Sequence, residues 1–539
     1  IGRSCWPPAD RPGRRTTTPD AGTDMTTDRS AVRLGPPGTG GYRPLEPGPG
    51  LAHARRTELA QPAPDDAPIE ALLTVAHLSD LHVCDHQSPA RIEFLDRWAD
   101  PDSPILEHLG EVGTYRAQEL MTAQVVDAGV RAVNDVVRGP VFGAPLDLAV
   151  VTGDNTDNSQ ANELEWYLTL LDGGRVHPDS GDLSRYEGVA DDVIADERFW
   201  RPTSTVPDVP RAAYGFPSVP GLLDAVRRAF DAPGLRLPWL AVHGNHDQML
   251  QGTVPGTGLL GAVAVGDRKA YDLPDGYPPE QALELLAGLS ACEPHALEVL
   301  GECRTRPVTP DPDRQVLTRK EFIDRHLDSD GLPVGHGFAP GDAAYYRHDV
   351  DRVSVLVLDT VDEYGGWEGS LDRPQLEWLG VELALADEEG RYVVLASHHP
   401  VETLTNDIGP DRVLGAEVQA LVAVHRCVVL WLAGHTHEVA ATPRGTYWQV
   451  VAPSLVDWPQ QGRVVELVRV GEQLQVAVTM LDHAGEVPWG GGTDTTVELA
   501  GLSRELAAND WQWRHYPEDP RAGRVDERNV LLFLADPYT

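Results

Sequence analysis

Five short apolar runs punctuate the middle of the chain, and each stops at a cluster of polar side chains. The runs cover residues 72–78, 146–151, 235–242, 392–396 and 428–432. Runs of this length without alternation predict strands buried on both faces. Between them the apolar spacing turns helical, over residues 115–137, 162–171, 372–386 and 414–424. One of these helices opens with Asp372-Arg373-Pro374-Gln375, an N-cap followed by proline in the first turn. Strand, helix and strand in this order predict βαβ units. Residues 345–348 and 353–359 read as a hairpin, and strands dominate from 439 to 481. The tail offers one helix, 496–507, and a late apolar run, 530–535.

Two stretches break the pattern. Residues 173–234 hold one predicted helix, 221–230, among Gly, Pro and Asp, and residues 250–340 hold another, 279–289. Unpatterned stretches this long in a compact domain are usually lids or added subdomains. Both leave the chain beside the polar clusters, so they are expected to roof them. Residues 1–66 carry Pro, Gly, Thr, Arg and Asp without periodicity and are expected to be disordered. The chain opens with Ile1, and Met25 could be the natural start. The expected division is therefore a disordered segment 1–66, a catalytic domain 67–482 with two cap-like insertions, and an extension 483–539 packed on it.

Composition changes the picture in three ways. A hydrophobic fraction of 41% supports a sizeable core. A formal charge of -39 argues against nucleic acid and anionic membranes as partners. The five cysteines, Cys5, Cys84, Cys292, Cys303 and Cys427, form no C-x-x-C pair and fit a reducing compartment, with a Cys292–Cys303 bridge as the secreted alternative. No apolar run reaches the roughly 20 residues of a membrane span, and no signal-peptide core follows the early arginines, so a cytoplasmic location is expected.

The polar clusters carry the chemistry. In order they are Asp80-Leu81-His82, Gly153-Asp154-Asn155, Gly244-Asn245-His246-Asp247, His398-His399-Pro400 and Gly434-His435-Thr436-His437. Singly, each has a bland reading: Asp80 and Asp154 as helix caps, His435 and His437 as satisfied histidines at a strand end. Gly244 is expected to let the backbone turn sharply after its strand. Carboxylate, amide and imidazole are the ligands that hard and borderline divalent cations take. Two such cations about 3.5–4 Å apart can clamp the attacking and leaving oxygens of a phosphoryl transfer and bring a bound water's pKa to about 7.

All five blocks together resemble the calcineurin-like metallophosphoesterase superfamily, over roughly residues 70–470 with the insertions unaligned. The resemblance implies an α/β fold, a four-layer α/β/β/α sandwich of two mixed sheets with cap-like insertions. It implies two divalent metal ions, Mn, Fe or Zn. Metal one would take Asp80, His82, Asp154 and His437. Metal two would take Asp154, Asn245, His398 and His435, with Asp154 bridging. His246 would protonate the leaving oxygen, and Asp247 beside it could fix its tautomer. His399 would touch substrate or pack. Asp85, His86 and Arg91 are pocket candidates with a structural alternative, Asn155 and Asp157 would support the ligands, and His243, His295, His336 and Cys84 read as structural.

Departures narrow the choice. Asp157 stands where purple acid phosphatases carry Tyr, and Asn158 where serine/threonine phosphatases carry a phosphate-gripping Arg. The charge disfavours a nuclease, and too little chain follows the last block for a 5′-nucleotidase. What remains looks like the bacterial phosphodiesterase and phosphomonoesterase branch, with an actinobacterial-type subgroup nearest in its insertions. The expected function is metal-dependent hydrolysis of a small phosphoester by a bridging hydroxide, diesters slightly favoured. The alternative is a non-catalytic binding scaffold on the same fold.

Overall fold

The computed structural model describes residues 25–64, 66–101, 103–106, 115–250, 252–254, 258–291, 293–513 and 519–539. Two large mixed sheets organise it. Along the chain, β1 (Ala54–Arg56), β2 (Ile69–Leu78), β3 (Leu148–Val151) and β4 (Trp239–Ala241) belong to the first sheet. The second holds β5 (Tyr346–Val350), β6 (Val353–Val357), β7 (Tyr392–Ala396), β8 (Val428–Ala433), β9 (Ala440–Arg444) and β10 (Tyr447–Val451). The chain then returns to the first sheet with β11 (Gln461–Val470), β12 (Gln473–Asp482) and β13 (Val530–Ala535). The first sheet runs in the order β1-β13-β12-β11-β2-β3-β4 and the second in the order β5-β6-β7-β8-β10-β9. The strands that carry the polar clusters are parallel to their neighbours: β2 to β3, β3 to β4, β6 to β7 and β7 to β8.

Side-chain alternation explains how the sheets stack. Val394 and Ala396 of β7, with Leu430 and Leu432 of β8, join the cluster that also holds Val75, Val150 and Leu240 of the first sheet. Their neighbours Val393, Leu395 and Trp431 point the other way. There they meet helices α3 (Arg373–Glu389) and α4 (Gly415–Val422) through Leu379, Leu383 and Val418. Helices α1 (Thr122–Asp135) and α2 (Ala161–Asp172) bring Val126, Val133, Leu164 and Leu171 to the cluster of the first sheet. The expected mixed α/β fold with two multi-strand sheets is what the chain adopts. Asp372 caps α3 by accepting the Gln375 N–H at 2.7 Å, as its sequence predicts.

The insertions build a separate apolar core. Residues from 90–121, 186–226, 249–303 and 499–511 share one buried cluster, with Phe199, Trp200, Leu285 and Trp511 among them. Helix α5 (Thr496–Ala507) supplies Leu499, Leu502 and Leu506 to it. The interruptions hold more structure than the one helix expected in each. Residues 173–234 contain helices Val209–Tyr214 and Leu222–Ala225, and a two-stranded pair, Gly174–Val176 with Phe230–Ala232. Residues 250–340 add helices Pro294–Glu302 and Arg319–Leu327 and the pair Arg268–Asp272 with Arg304–Pro307.

Two boundaries drawn from the sequence do not fit. The disorder expected for residues 1–66 fails for residues 25–64, which hold a Ser30–Leu34/Leu45–Pro49 hairpin and β1. Local periodicity missed β1 because its partner is distant. Thr27 Oγ1 donates to Asn529 Oδ1 at 2.9 Å, and Arg55 pairs with Leu531. Residues 1–24 lie outside the described residues, as does Cys292 of the possible Cys292–Cys303 disulfide. A domain edge at 482 also cuts the first sheet, because β12 pairs with β13 over Gln473–Val478.

Candidate metal centre

Register brings the polar clusters together. Leu78 is level with Val151, and Val151 with Ala241, so β2, β3 and β4 end flush. Ala396 is level with Leu432 in the second sheet. The backbone then turns through conformations rare for residues with a Cβ. Asp80, His82, Asp154, His435 and His437 have φ of 53°, 42°, 49°, 70° and 56°. Such strain costs of order 1–3 kcal/mol per residue and persists where the surroundings over-determine it. Here it falls on five of the seven residues expected to ligate metal. The glycines have two different jobs. Gly153 is left-handed at φ 91°. Gly244, expected to supply a sharp turn, is plainly extended at φ -113°, ψ 170°. Its lack of a side chain instead admits the backbone and carboxylate of Asp154 to its Cα.

The ligand atoms converge in two groups. In the first, His82 Nε2 lies 3.1 Å from His437 Nε2 and 3.8 Å from Asp154 Oδ2. His437 Nε2 lies 3.4 Å from Asp80 Oδ1. In the second, His398 Nε2 lies 2.8 Å from Asn245 Oδ1 and 3.2 Å from Asp154 Oδ1. His435 Nδ1 lies 3.1 Å from the same Asn245 oxygen. Asp154 thus gives one oxygen to each group. The donor sets, two carboxylates with two imidazoles and a carboxylate with an amide and two imidazoles, fit divalent cations of the manganese, iron or zinc kind. Asp80 also ties the sheets together by accepting the His435 N–H at 3.1 Å.

Three of the four imidazoles have a hydrogen-bond partner for their other nitrogen, which helps fix tautomer and orientation. His398 Nδ1 donates to Thr152 O at 2.7 Å, and His437 Nδ1 to Asp457 Oδ2 at 2.6 Å. His435 Nε2 lies 3.8 Å from Glu368 Oε2. His82 Nδ1 lies 3.2 Å from His246 Nδ1. Asp457 and Glu368 were not singled out from the sequence. Neither sits in a motif, and the only signal was the general need of a ligating histidine for an acceptor.

Charge balance follows this geometry. Burial alone would raise Asp80, but His437 and His398 hold it below the usual carboxylate range. Burial works likewise against Asp154, and His398 and His246 outweigh it, so it lies well below that range. Burial opposes protonation of His398, yet Asp154 and Asp80 raise it to about 9. His437 is raised to about 9 by Asp80 and Asp457 against the same burial. His82 falls to about 3 through burial and the neighbouring His246. The carboxylates are thus held ionised, and the protons on His398 and His437 occupy places a cation would take.

The remaining candidates separate clearly. His246 packs edge-on against His82 with centroids 4.3 Å apart, and its Nε2 lies 3.9 Å from Asp154 Oδ2. Asp247 does not reach the His246 ring as expected. Its carboxylate accepts from Gly244 N at 2.9 Å, Asn155 Nδ2 at 2.8 Å and Thr156 N at 2.9 Å, bracing the turns of two clusters. The carboxylate facing the ring is Asp157, 3.6 Å from His246 Nδ1, with Arg91 Nε 3.3 Å behind it. His399 is buried, with Nδ1 2.7 Å from Thr360 Oγ1 and Nε2 donating to Trp367 O at 2.9 Å, so it packs. Asp85 is buried and bound to Arg314, Ser180 and Asn162. His86 stacks on Tyr186. Both join the insertion at 173–234 to the core. His243 and His336 are buried, and His295 is exposed.

Five motifs in this order, delivered by flush parallel strands into two ligand sets that share one aspartate, support a calcineurin-like metallophosphoesterase. Similar proteins agree with that class over a short stretch. The manganese-dependent ADP-ribose/CDP-alcohol diphosphatase of Mus musculus is 32% identical over 76 residues, 14% of this chain and 22% of that protein. The protein of the same name from Bos taurus is 32% identical over 72 residues, 13% of this chain and 21% of its own. The chain thus spans about a fifth of the length of the curated relatives it matches. A dimetal phosphatase from Danio rerio aligns over 77% of this chain and all of its own at 13% identity, with a TM-score of 0.37. No family model matches the chain.

Proposed function

We propose that the chain hydrolyses small phosphoric esters with two divalent metal ions, held by Asp80, His82, Asp154 and His437 on one side and Asp154, Asn245, His398 and His435 on the other. The observation that carries this reading is Asp154, whose two oxygens face the two separate imidazole groups. When bound, two such ions supply charge for the phosphoryl oxygens and lower the pKa of a water to about 7.

The chain's own residues do the rest. His82 Nδ1 lies 3.2 Å from His246 Nδ1. As the imidazolium, His246 would carry a proton on Nε2, on the Asp154 side, pass it to the leaving oxygen and return to the neutral ring. Asp157, 3.6 Å from Nδ1, faces the imidazolium that a second proton would create. The acidic surface favours small substrates over polyanions. Manganese and nucleotide-like diphosphate substrates are suggested by the relatives' names, and diesters are slightly favoured over monoesters.

The test is hydrolysis of bis-p-nitrophenyl and p-nitrophenyl phosphate with and without Mn²⁺, beside elemental analysis. Two metal equivalents per chain and near-complete loss of turnover in Asp154→Ala are expected. His246→Ala should keep its metals and lose roughly 10²–10⁴ in rate, less for leaving groups that need no proton. Full metal loading with no turnover of any phosphoester would favour the binding-scaffold alternative instead.

A further inference from the structure

Beside the second ligand group, two joined loops expose apolar side chains. After β6 the chain runs through Asp362-Glu363-Tyr364-Gly365-Gly366-Trp367-Glu368, and Tyr364 and Trp367 are 49% and 57% exposed. They are the only exposed aromatic residues among the described ones. Ile408, 60% exposed, belongs to the neighbouring loop. Ile408 and Tyr364 each lie against the other loop's backbone: a side-chain carbon on Gly366, next to Trp367 in the chain, would meet Ile408 at 2.9 Å, and one on Gly409 would meet Tyr364 at 2.9 Å.

The loops are braced. Asn406 Nδ2 donates to Gly365 O at 2.9 Å and to Glu368 O at 3.0 Å. Asp362 accepts the N–H groups of Tyr364 at 3.0 Å and Gly409 at 2.9 Å. Gly365 and Gly366 take φ of 97° and 93°, which spares the turn the cost of a Cβ there. The backbone of this loop is anchored beside the candidate site. Trp367 O is bound by His399, whose ring centroid lies 4.2 Å from that of His435. Glu368 reaches His435 itself.

A rigid wall of Trp, Tyr and Ile held in water is a preorganised surface for a flat apolar face. Its flanking carboxylates, Glu363 and Glu368, turn away further negative charge. We propose that Tyr364, Trp367 and Ile408 form a subsite for an uncharged planar aromatic ring on the organic group of the phosphoester. This rests on the phosphoesterase reading above.

The probes are phenylphosphonate and methylphosphonate, neither of them hydrolysable, titrated calorimetrically into the Mn²⁺-loaded protein. The wild type should bind phenylphosphonate at least about tenfold tighter, about 1.4 kcal/mol. Trp367→Ala and Tyr364→Ala should each cut that preference to below about threefold and leave methylphosphonate affinity unchanged. Trp367→Phe should restore most of it. Equal binding of the two phosphonates by the wild type would overturn the subsite while leaving the phosphoesterase reading standing. So would a preference retained in the double variant, or a dimer in sedimentation that Trp367→Ala breaks without changing the preference. Failure of both phosphonates to bind would remove the subsite together with the reading it rests on.

Discussion

Replacing Asp457 by Asn should weaken one metal site and spare the other. The carboxylate accepts the His437 Nδ1–H at 2.6 Å, and both side chains are largely buried. Asn keeps an acceptor of the same size, so the ring should stay in place. What is lost is the negative charge behind an imidazole that gives its Nε2 to metal. Partners of this kind typically contribute 10–100-fold in metal affinity, about 1.4–2.7 kcal/mol. The lower half of that range is expected, because the change leaves no arginine stranded. Arg116, 3.2 Å from Asp457, keeps Glu119 at 3.2 Å, and Arg521 keeps Asp519 at 2.8 Å. The second group does not touch Asp457, and its His398 leans on Thr152 O instead. Titration of Mn²⁺ against a chelator, fitted to two sites, should show one dissociation constant raised about 10–30-fold and the other moved by less than about threefold. Equal weakening of both sites, or of neither in a protein that still melts like the wild type, would refute this account of His437.

Two further outcomes test the surroundings. Asp247→Asn should cost about 1–3 kcal/mol of stability, because an amide turns a donor toward the Gly244, Asn155 and Thr156 donors. Its kcat should fall far less than that of His246→Ala; a loss as large as that variant's at an unchanged Tm would return the tautomer role to Asp247. Asp510 is raised from 3.8 to about 6, chiefly by burial and secondarily by Asp457, against the pull of Arg521. A carboxyl whose folded pKa is raised contributes stability below its unfolded pKa and loses it as pH climbs through about 6. Asp510→Asn should therefore gain on the wild type between pH 4 and pH 8, by on the order of 1–3 kcal/mol in urea unfolding; a gap that stays constant with pH would contradict it.

The legible parts of this chain are those written locally. The strands before the motifs are mostly apolar runs, and each ligand follows the end of one, so strands and ligand candidates could be read together. Helix α5 begins where expected because Thr495 accepts the Glu498 N–H, a signal contained in four residues. What could not be read depends on distant partners. Strand β1 is three residues without apolar alternation, and only β13 makes it a strand. Asp247 follows His246 directly, yet the backbone sends its carboxylate away from the ring and leaves Asp157 facing it. Asp457 lies in an unpatterned turn, and its role exists only once His437 is placed. The helices Leu222–Ala225 and Pro294–Glu302 were hidden because their apolar residues serve a core shared with α5, and Arg319–Leu327 because it gives Phe322 and Ile323 to the main core.

The order of the first sheet bears on how the molecule is made. Strand β2 leaves the ribosome early, but its antiparallel neighbour β11 pairs Arg463 with His77 and arrives hundreds of residues later. Strand β1 waits longer still, for Leu531 and Leu532 of β13. Until those strands are made the growing sheet carries an open edge, the condition that invites pairing with other chains. The ligands of the metal centre are spread from Asp80 to His437, so they cannot meet until the same late stage. A nascent chain released just before β11 would own all five motifs and none of the closure. The pairing of β11 with β2 and of β13 with β1 therefore seals the first sheet after every candidate ligand is in the chain.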